Sequence, residues 1–328
     1  TSNTPKSLPP FPNNAPKNRL GLAAWLVDAK HPLTARVTVN RIWQQFFGTG
    51  FVKTTENFGV QSERPSHPAL LDWLALEFIQ SGWDVKALHK RIVLSATYRQ
   101  SSRVTPAQYE RDPENRLLAR MTRQRLPSWM IRDQALFVSG LLVEKQGGPS
   151  VKPYQPGGVW AEATFGKKRY SQDKGEALYR RSLYTFWRRI VGPTMFFDES
   201  KRQTCEVRRS RTNTPLHALI TLNDIAYVEA ARAMAQRVLK EGGVDDAARV
   251  SHAFRLATSR QPKPQEQNLL KKRVEQLRDN YKKDTEATKS LLTVGEFKRD
   301  ETLDATDHAV YTVLCNLILN LDEVITRE

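Results

Sequence analysis

Two cysteines and six histidines are all that 328 residues provide. Cys205 and Cys315 stand alone, in neither a Cys-x-x-Cys pair nor a Cys-x-x-Cys-His haem attachment site. A disulfide framework is excluded, and one bridge between the two is left open. His31, His67, His89, His217, His252 and His308 form no His-x-x-x-His or His-x-Glu pair, so zinc-type spacing is missing. Gly-x-x-x-x-Gly-Lys, Gly-x-Gly-x-x-Gly and Gly-x-Ser-x-Gly are also absent. That argues against nucleotide-dependent and α/β-hydrolase chemistry. No segment approaches the about 20 apolar residues of a membrane span. The apolar stretch 69–79 is interrupted by Asp72 and Glu77. Neither a metal site, nor a cofactor bound within this chain, nor a bilayer span is expected.

What the chain has in excess is positive charge. Its 51 Lys and Arg against 35 Asp and Glu give a net charge of +16. Such a charge attracts polyanions: nucleic acid, acidic polysaccharide or an anionic lipid surface. No nucleic-acid-binding motif accompanies it, which argues against nucleic acid. With 39% hydrophobic residues the chain can bury a core, and its length suits roughly two domains of about 150 residues or one large one.

The pattern along the chain predicts a mainly α, multi-helix globular fold. Residues 1–16 are rich in Pro and Asn and read as linker, with further chain expected before them. Residues 17–146 read as an N-terminal helical part. Helices are expected over 18–27, from Thr34 as a cap to Phe47, over 69–80 behind Ser66, over 85–98 behind Asp84, and over 128–143. Residues 147–213 change character: Gly, Pro and aromatics are frequent and helical periodicity is poor. This irregular middle is expected to carry one or two short strands, with residues 182–187 of β-type composition. Residues 214–328 return to helix, with Thr214 as a cap before Pro215, a long helix over 224–240, one over 245–258, a charged one over 265–289 and a last one over 306–319. Whether 214–328 shares one core with 17–146 stays open.

Chemistry concentrates in the middle. Tyr179-Arg180-Arg181-Ser182-Leu183-Tyr184-Thr185-Phe186-Trp187-Arg188-Arg189 interleaves arginine with aromatics, and Arg208-Arg209-Ser210-Arg211-Thr212-Asn213 follows. Guanidinium forks suit carboxylate, sulfate or phosphate, and aromatic faces stack on sugars. The expected ligand-binding residues are Arg180, Arg181, Tyr184, Trp187, Arg188, Arg208, Arg209, Arg211, Asn213 and Trp160. On a strand, Arg181, Leu183, Thr185 and Trp187 would share one face. The competing reading is that the arginines pair with acids and cap helices while the aromatics pack. Asp198, Glu162 and His217 are the acid–base candidates. A glycoside-cleaving site needs two carboxyls about 5 to 9 Å apart, a distance no sequence displays.

Several ordered motifs also carry a resemblance. They are Arg36-Val37-Thr38-Val39-Asn40-Arg41-Ile42-Trp43-Gln44, Ser66-His67-Pro68 with Leu71-Asp72-Trp73-Leu74, and Ser95-Ala96-Thr97-Tyr98-Arg99-Gln100-Ser101. Further on come Asp112-Pro113-Glu114-Asn115-Arg116-Leu117-Leu118-Ala119-Arg120, Gly147-Gly148-Pro149-Ser150-Val151, Arg211-Thr212-Asn213-Thr214-Pro215-Leu216 and the ending Asn320-Leu321-Asp322-Glu323. Together they resemble the planctomycete-specific, cytochrome-c-associated domain of unknown function, the PSD-one domain. The resemblance implies a C-terminal position in a multidomain surface protein, upstream domains as partners, a c-type haem in the upstream region, and export to the periplasm or cell surface. It implies no activity and no catalytic residue set. His217 stands where relatives often carry Gln, and Ile225 where they often carry Pro.

From these readings the expected function is binding of an acidic polysaccharide, sulfated or uronic, by an extracytoplasmic domain. A carbohydrate-active, redox-coupled enzyme is the alternative. A structural docking domain for its neighbours is the third.

Overall fold

The computed structural model describes residues 4–200, 204–208 and 211–327. It is mainly helical, with fourteen α-helices and one two-stranded sheet among the described residues. No helix is long and apolar enough to cross a membrane. Two compact units meet in sequence between Gln124 and Arg125.

The first unit carries α1 (Arg19–Leu26), α2 (Thr34–Phe47), α3 (Pro68–Gln80), α4 (Val85–Leu94) and α5 (Pro106–Arg111). Asn18 starts α1 by accepting from the Leu20 and Gly21 amides, and Asp84 starts α4 by accepting from Ala87 N. Thr34 is not a cap. It is the first residue of α2, and its amide turns back to His31 Nδ1. The α2 residues Val39, Trp43 and Phe47 recur at helical spacing and bury against Leu71, Leu74 and Phe78 of α3 and Leu88 and Ile92 of α4. Fully buried Asn40 stitches this core to the following loop, holding Val52 through both its carbonyl and its amide.

The second unit carries α6 (Ser128–Ser139), α7 (Val159–Ala163), α8 (Pro215–Asn223), α9 (Ile225–Glu241), α10 (Asp246–Thr258), α11 (Pro264–Lys283), α12 (Thr285–Leu292), α13 (Ala305–Leu319) and α14 (Asp322–Ile325). Its centre is α9, which is buried without a break over residues 226–235. A helix buried on every side must be covered on every side, and its buried charges, Glu229 and Arg232, must find partners inside. The alanines 226, 230, 231, 233 and 235 let α13 and α6 approach closely. Asp224, Asp245 and Asp304 cap α9, α10 and α13. Cys315 is buried in α13 and Cys205 is exposed, and both are free thiols, so the bridge left open by the sequence does not form.

The helices expected over 85–98 and 128–143 end early, at Leu94 and Ser139, and two further expected elements differ in kind. The helix over 265–289 is two helices, because Asp284 ends α11 and its carboxylate then accepts from Ala287 N to start α12. Residues 182–187 are not a strand. Ser182–Tyr184 is a single 3-10 turn, with Tyr184 N and Thr185 N bonded back to Arg181 O and Ser182 O. Isolated bridges, Val143 to Arg180 and Val151 to Thr185, stand in for a ladder. The alternation of faces therefore fails. Arg180, Ser182 and Thr185 are buried while Arg181 and Leu183 are exposed.

Candidate functional site

The middle segment of the second unit builds two clusters. The first is aromatic and cationic. Trp160 is buried on α7, its Nε1 donating to Gln155 Oε1 at 2.7 Å. Its ring stacks on Tyr170 (centroids 5.6 Å apart) and Phe186 (5.9 Å), both half-buried. Lys152 Nζ stands 5.6 Å from the Phe186 centroid, and the Arg188 guanidinium 6.0 Å from that of Trp160. Beside them half-buried Trp187 stacks on Phe196 and leans on Gly192, where a Cβ would lie 3.1 Å from its Cζ2. Cations near ring faces gain from the ring quadrupole, and partly exposed rings remain available to a flat ligand.

The expected binding residues divide here. Arg180 is buried, and its two terminal nitrogens are committed to the fold: they donate to the carbonyls of Lys145, Gly147 and Pro149, and the flat face of the guanidinium covers the Tyr184 ring at 3.9 Å. Tyr184 in turn accepts Gly147 N through its hydroxyl. Arg180 thus folds the 145–149 turn and presents nothing to a ligand, and Trp160 is the centre of a stack rather than an open platform. Arg181 is exposed, with its Nε 3.9 Å from Asp133. Arg188 is half-buried, and Arg208 and Arg211 are exposed. Arg209 lies outside the described residues. Lys152, Tyr170 and Phe186 were missed as site residues. Lys167-Lys168-Arg169-Tyr170 was a readable basic–aromatic run, whereas nothing in the sequence places Lys152 beside Phe186.

The second cluster brings two acid–base candidates together. Asp198 sits in the left-handed region (φ +56), and its carboxylate accepts from Thr212 N and Thr212 Oγ1. His217, at the start of α8, turns Nε2 toward Asp198 Oδ1 at 3.8 Å, beyond hydrogen-bond length. The imidazole stacks on Phe197 at 4.2 Å, and the Arg125 guanidinium lies 5.1 Å from the same ring. Arg125 also donates to Asn213 Oδ1, so Asn213 serves as a clamp on Arg125. Burial pulls the His217 pKa below its ordinary value. Asp198 opposes that shift and Arg125 adds to it. The ring is therefore neutral at neutral pH. Arg125 was missed, because nothing in Gln124-Arg125-Leu126-Pro127 marks it. Glu162 is exposed on α7 and, among the described residues, makes no hydrogen bond or ion pair with Asp198 or His217.

No curated protein and no solved structure matches the chain. A family model, PSD1, described as protein of unknown function (DUF1553), matches residues 18–274. With most of its length matched, this mainly helical chain belongs to the PSD1 family.

Proposed function

We propose that the chain is a binding domain for acidic polysaccharide, sulfated or uronic, within a larger extracytoplasmic, cytochrome-c-associated protein. The observation that carries this reading is the placement of Lys152 and Arg188 at the faces of the Tyr170–Trp160–Phe186 stack. Cations and partly exposed rings then share one region, with Trp187 and exposed Arg181 nearby in sequence. The net charge of +16 adds attraction at longer range. The cellular setting and upstream haem rest on the resemblance to planctomycete surface proteins. Heparin, polygalacturonate, a neutral glucan and duplex DNA should be compared at moderate and high salt. Selective binding of one acidic glycan that survives high salt is expected, weakened about tenfold by Arg188→Ala or Phe186→Ala. Equal binding of every polyanion, all lost at high salt, would reduce the reading to bulk charge.

The Asp198–His217 pair favours a second reading, acid–base chemistry on a carbohydrate. A neutral imidazole beside a carboxylate can take up a proton. Asp198→Asn should then abolish glycan turnover and leave glycan affinity intact. Turnover that persists in Asp198→Asn would remove the pair from any mechanism.

A further inference from the structure

Immediately after α7 the chain exposes one aromatic ring almost completely. Phe165 is 93% exposed, and its backbone lies in the left-handed region (φ +51), with Gly166 beside it at φ +76. A bulky residue with positive φ is uncommon and costs energy unless its surroundings hold it. Here they do. Gly166 N donates to Ala161 O at 2.7 Å, Phe165 N to Glu162 O, and Lys167 N to Thr164 O. Thr164 Oγ1 donates to Trp160 O and accepts Lys168 N. Trp160 anchors the base of this turn in the aromatic stack. The ring is thus held out from the surface by an ordered turn.

The three residues after Gly166 are Lys167, Lys168 and Arg169, all exposed. Arg188 reaches the same Trp160, and Arg189 and Ile190 follow it, both exposed. Glu162 is the one acid within this stretch of α7 and its turn. An aromatic wedge rimmed by cations has a specific physical complement. A sugar ring covers one face of an aromatic and needs that face flush with a supporting surface, as for Phe186. Phe165 has both faces free, so stacking a sugar would leave half of it in water. Only a medium that surrounds the ring removes both faces from water. The headgroup–acyl boundary of a bilayer does so, and anionic headgroups would meet the flanking cations.

We propose that the Phe165 turn is a peripheral docking point for an anionic phospholipid surface, with Phe165 entering the acyl boundary and Lys167, Lys168 and Arg169 pairing with headgroup phosphates. This site is separate from the glycan reading and does not rest on it.

The test uses the full chain with vesicles of phosphatidylcholine alone or mixed with phosphatidylglycerol. Sedimentation is expected with the mixed vesicles only, weakened at least tenfold by Phe165→Ser and by the double change Lys167→Glu, Lys168→Glu. Phe165→Trp adds an eighth tryptophan to the seven already present, and the difference in emission between variant and wild type should shift to the blue when mixed vesicles are added. Far-ultraviolet circular dichroism of Phe165→Ser should match the wild type, which reports that the variant is folded, and its heparin binding should stay at the wild-type level, which separates this surface from the glycan site. Mixed-vesicle binding unaffected by Phe165→Ser, or no binding by the wild type, would overturn the proposal. A blue shift of Phe165→Trp without vesicles, moving with protein concentration, would also overturn it, by assigning the ring to a contact between copies.

Discussion

Arg132→Ala is expected to destabilise the second unit by about 3–5 kcal/mol, the cost of breaking up a buried charged network. The side chain is 1% exposed on α6. Its Nη1 donates to Arg180 O at 3.0 Å and Ser182 Oγ at 3.1 Å, and its Nη2 to Leu178 O at 2.7 Å. Asp133 lies 3.7 Å away and itself accepts Ser182 N at 2.7 Å. Burial pulls the guanidinium pKa down and Asp133 opposes the shift. Alanine would leave two carbonyls and a hydroxyl unpaired in a space that water cannot easily fill, and would add a cavity. Lysine would keep the charge but not the planar fork that serves three acceptors at once, so Arg132→Lys should lie between. The damage would spread along the chain, because the segment fixed by Arg132 contains Arg180, which folds the 145–149 turn. Urea unfolding of the three proteins gives the comparison. A loss of less than about 1 kcal/mol in Arg132→Ala would mean that the 178–182 segment is held by its apolar contacts.

That buried arginine illustrates where the sequence stopped being readable. The helices were legible because their signals are local: Asn18, Asp84, Asp224 and Asp245 cap within three residues, and Val39, Trp43 and Phe47 repeat at the helical period. The break at Asp284 was hidden by helix-forming residues on both sides. The misread strand has a longer-range cause. Ser182-Leu183-Tyr184 has β-type composition, but a strand needs a continuous ladder. Here Ser182 N donates to Asp133 and Ser182 Oγ accepts from Arg132, so among the described residues only Val151 pairs across with residues 184–186. An arginine reaching carbonyls more than forty positions away leaves no periodic trace. Hence Arg180, expected to bind ligand, folds a turn instead, Arg188, expected in the same way, stands near a ring face, and Lys152, unremarkable as a letter, stands at another. Asp198 and His217 were visible as residue types. Their approach was not, because it depends on Thr212 bringing the strand of chain before α8 back to Asp198.

Glu229 carries the second large expectation, and it tests whether one buried carboxylate organises a whole loop. It sits on α9, 1% exposed, and Oε1 accepts from Phe297 N at 2.6 Å, the Tyr179 hydroxyl at 3.0 Å and the Tyr154 hydroxyl at 3.2 Å. Burial, and then the Glu229 charge, push both tyrosine pKa values up, so both hydroxyls keep the protons they donate. One turn along, Arg232 donates to Val294 O and Phe297 O, so α9 grips both ends of residues 294–297. The loop passes closely enough that a Cβ on Gly295 (φ +83) would fall 2.3 Å from the Glu229 carboxyl. Glu229→Ala should therefore cost about 3–5 kcal/mol, leaving two buried hydroxyls and the Phe297 amide without their acceptor and the Arg232 guanidinium without a nearby opposite charge. Glu229→Gln keeps an acceptor oxygen and should cost about 1–2 kcal/mol. Gly295→Ala should fall between them, since it forces both a strained backbone and a displaced carboxylate. Because Gly295→Ala and Glu229→Ala disturb the same contact, their effects should not add in the double variant, a shortfall readable from denaturant midpoints. Strict additivity would mean that Gly295 is required for its backbone alone and that the carboxylate does not set the course of the loop.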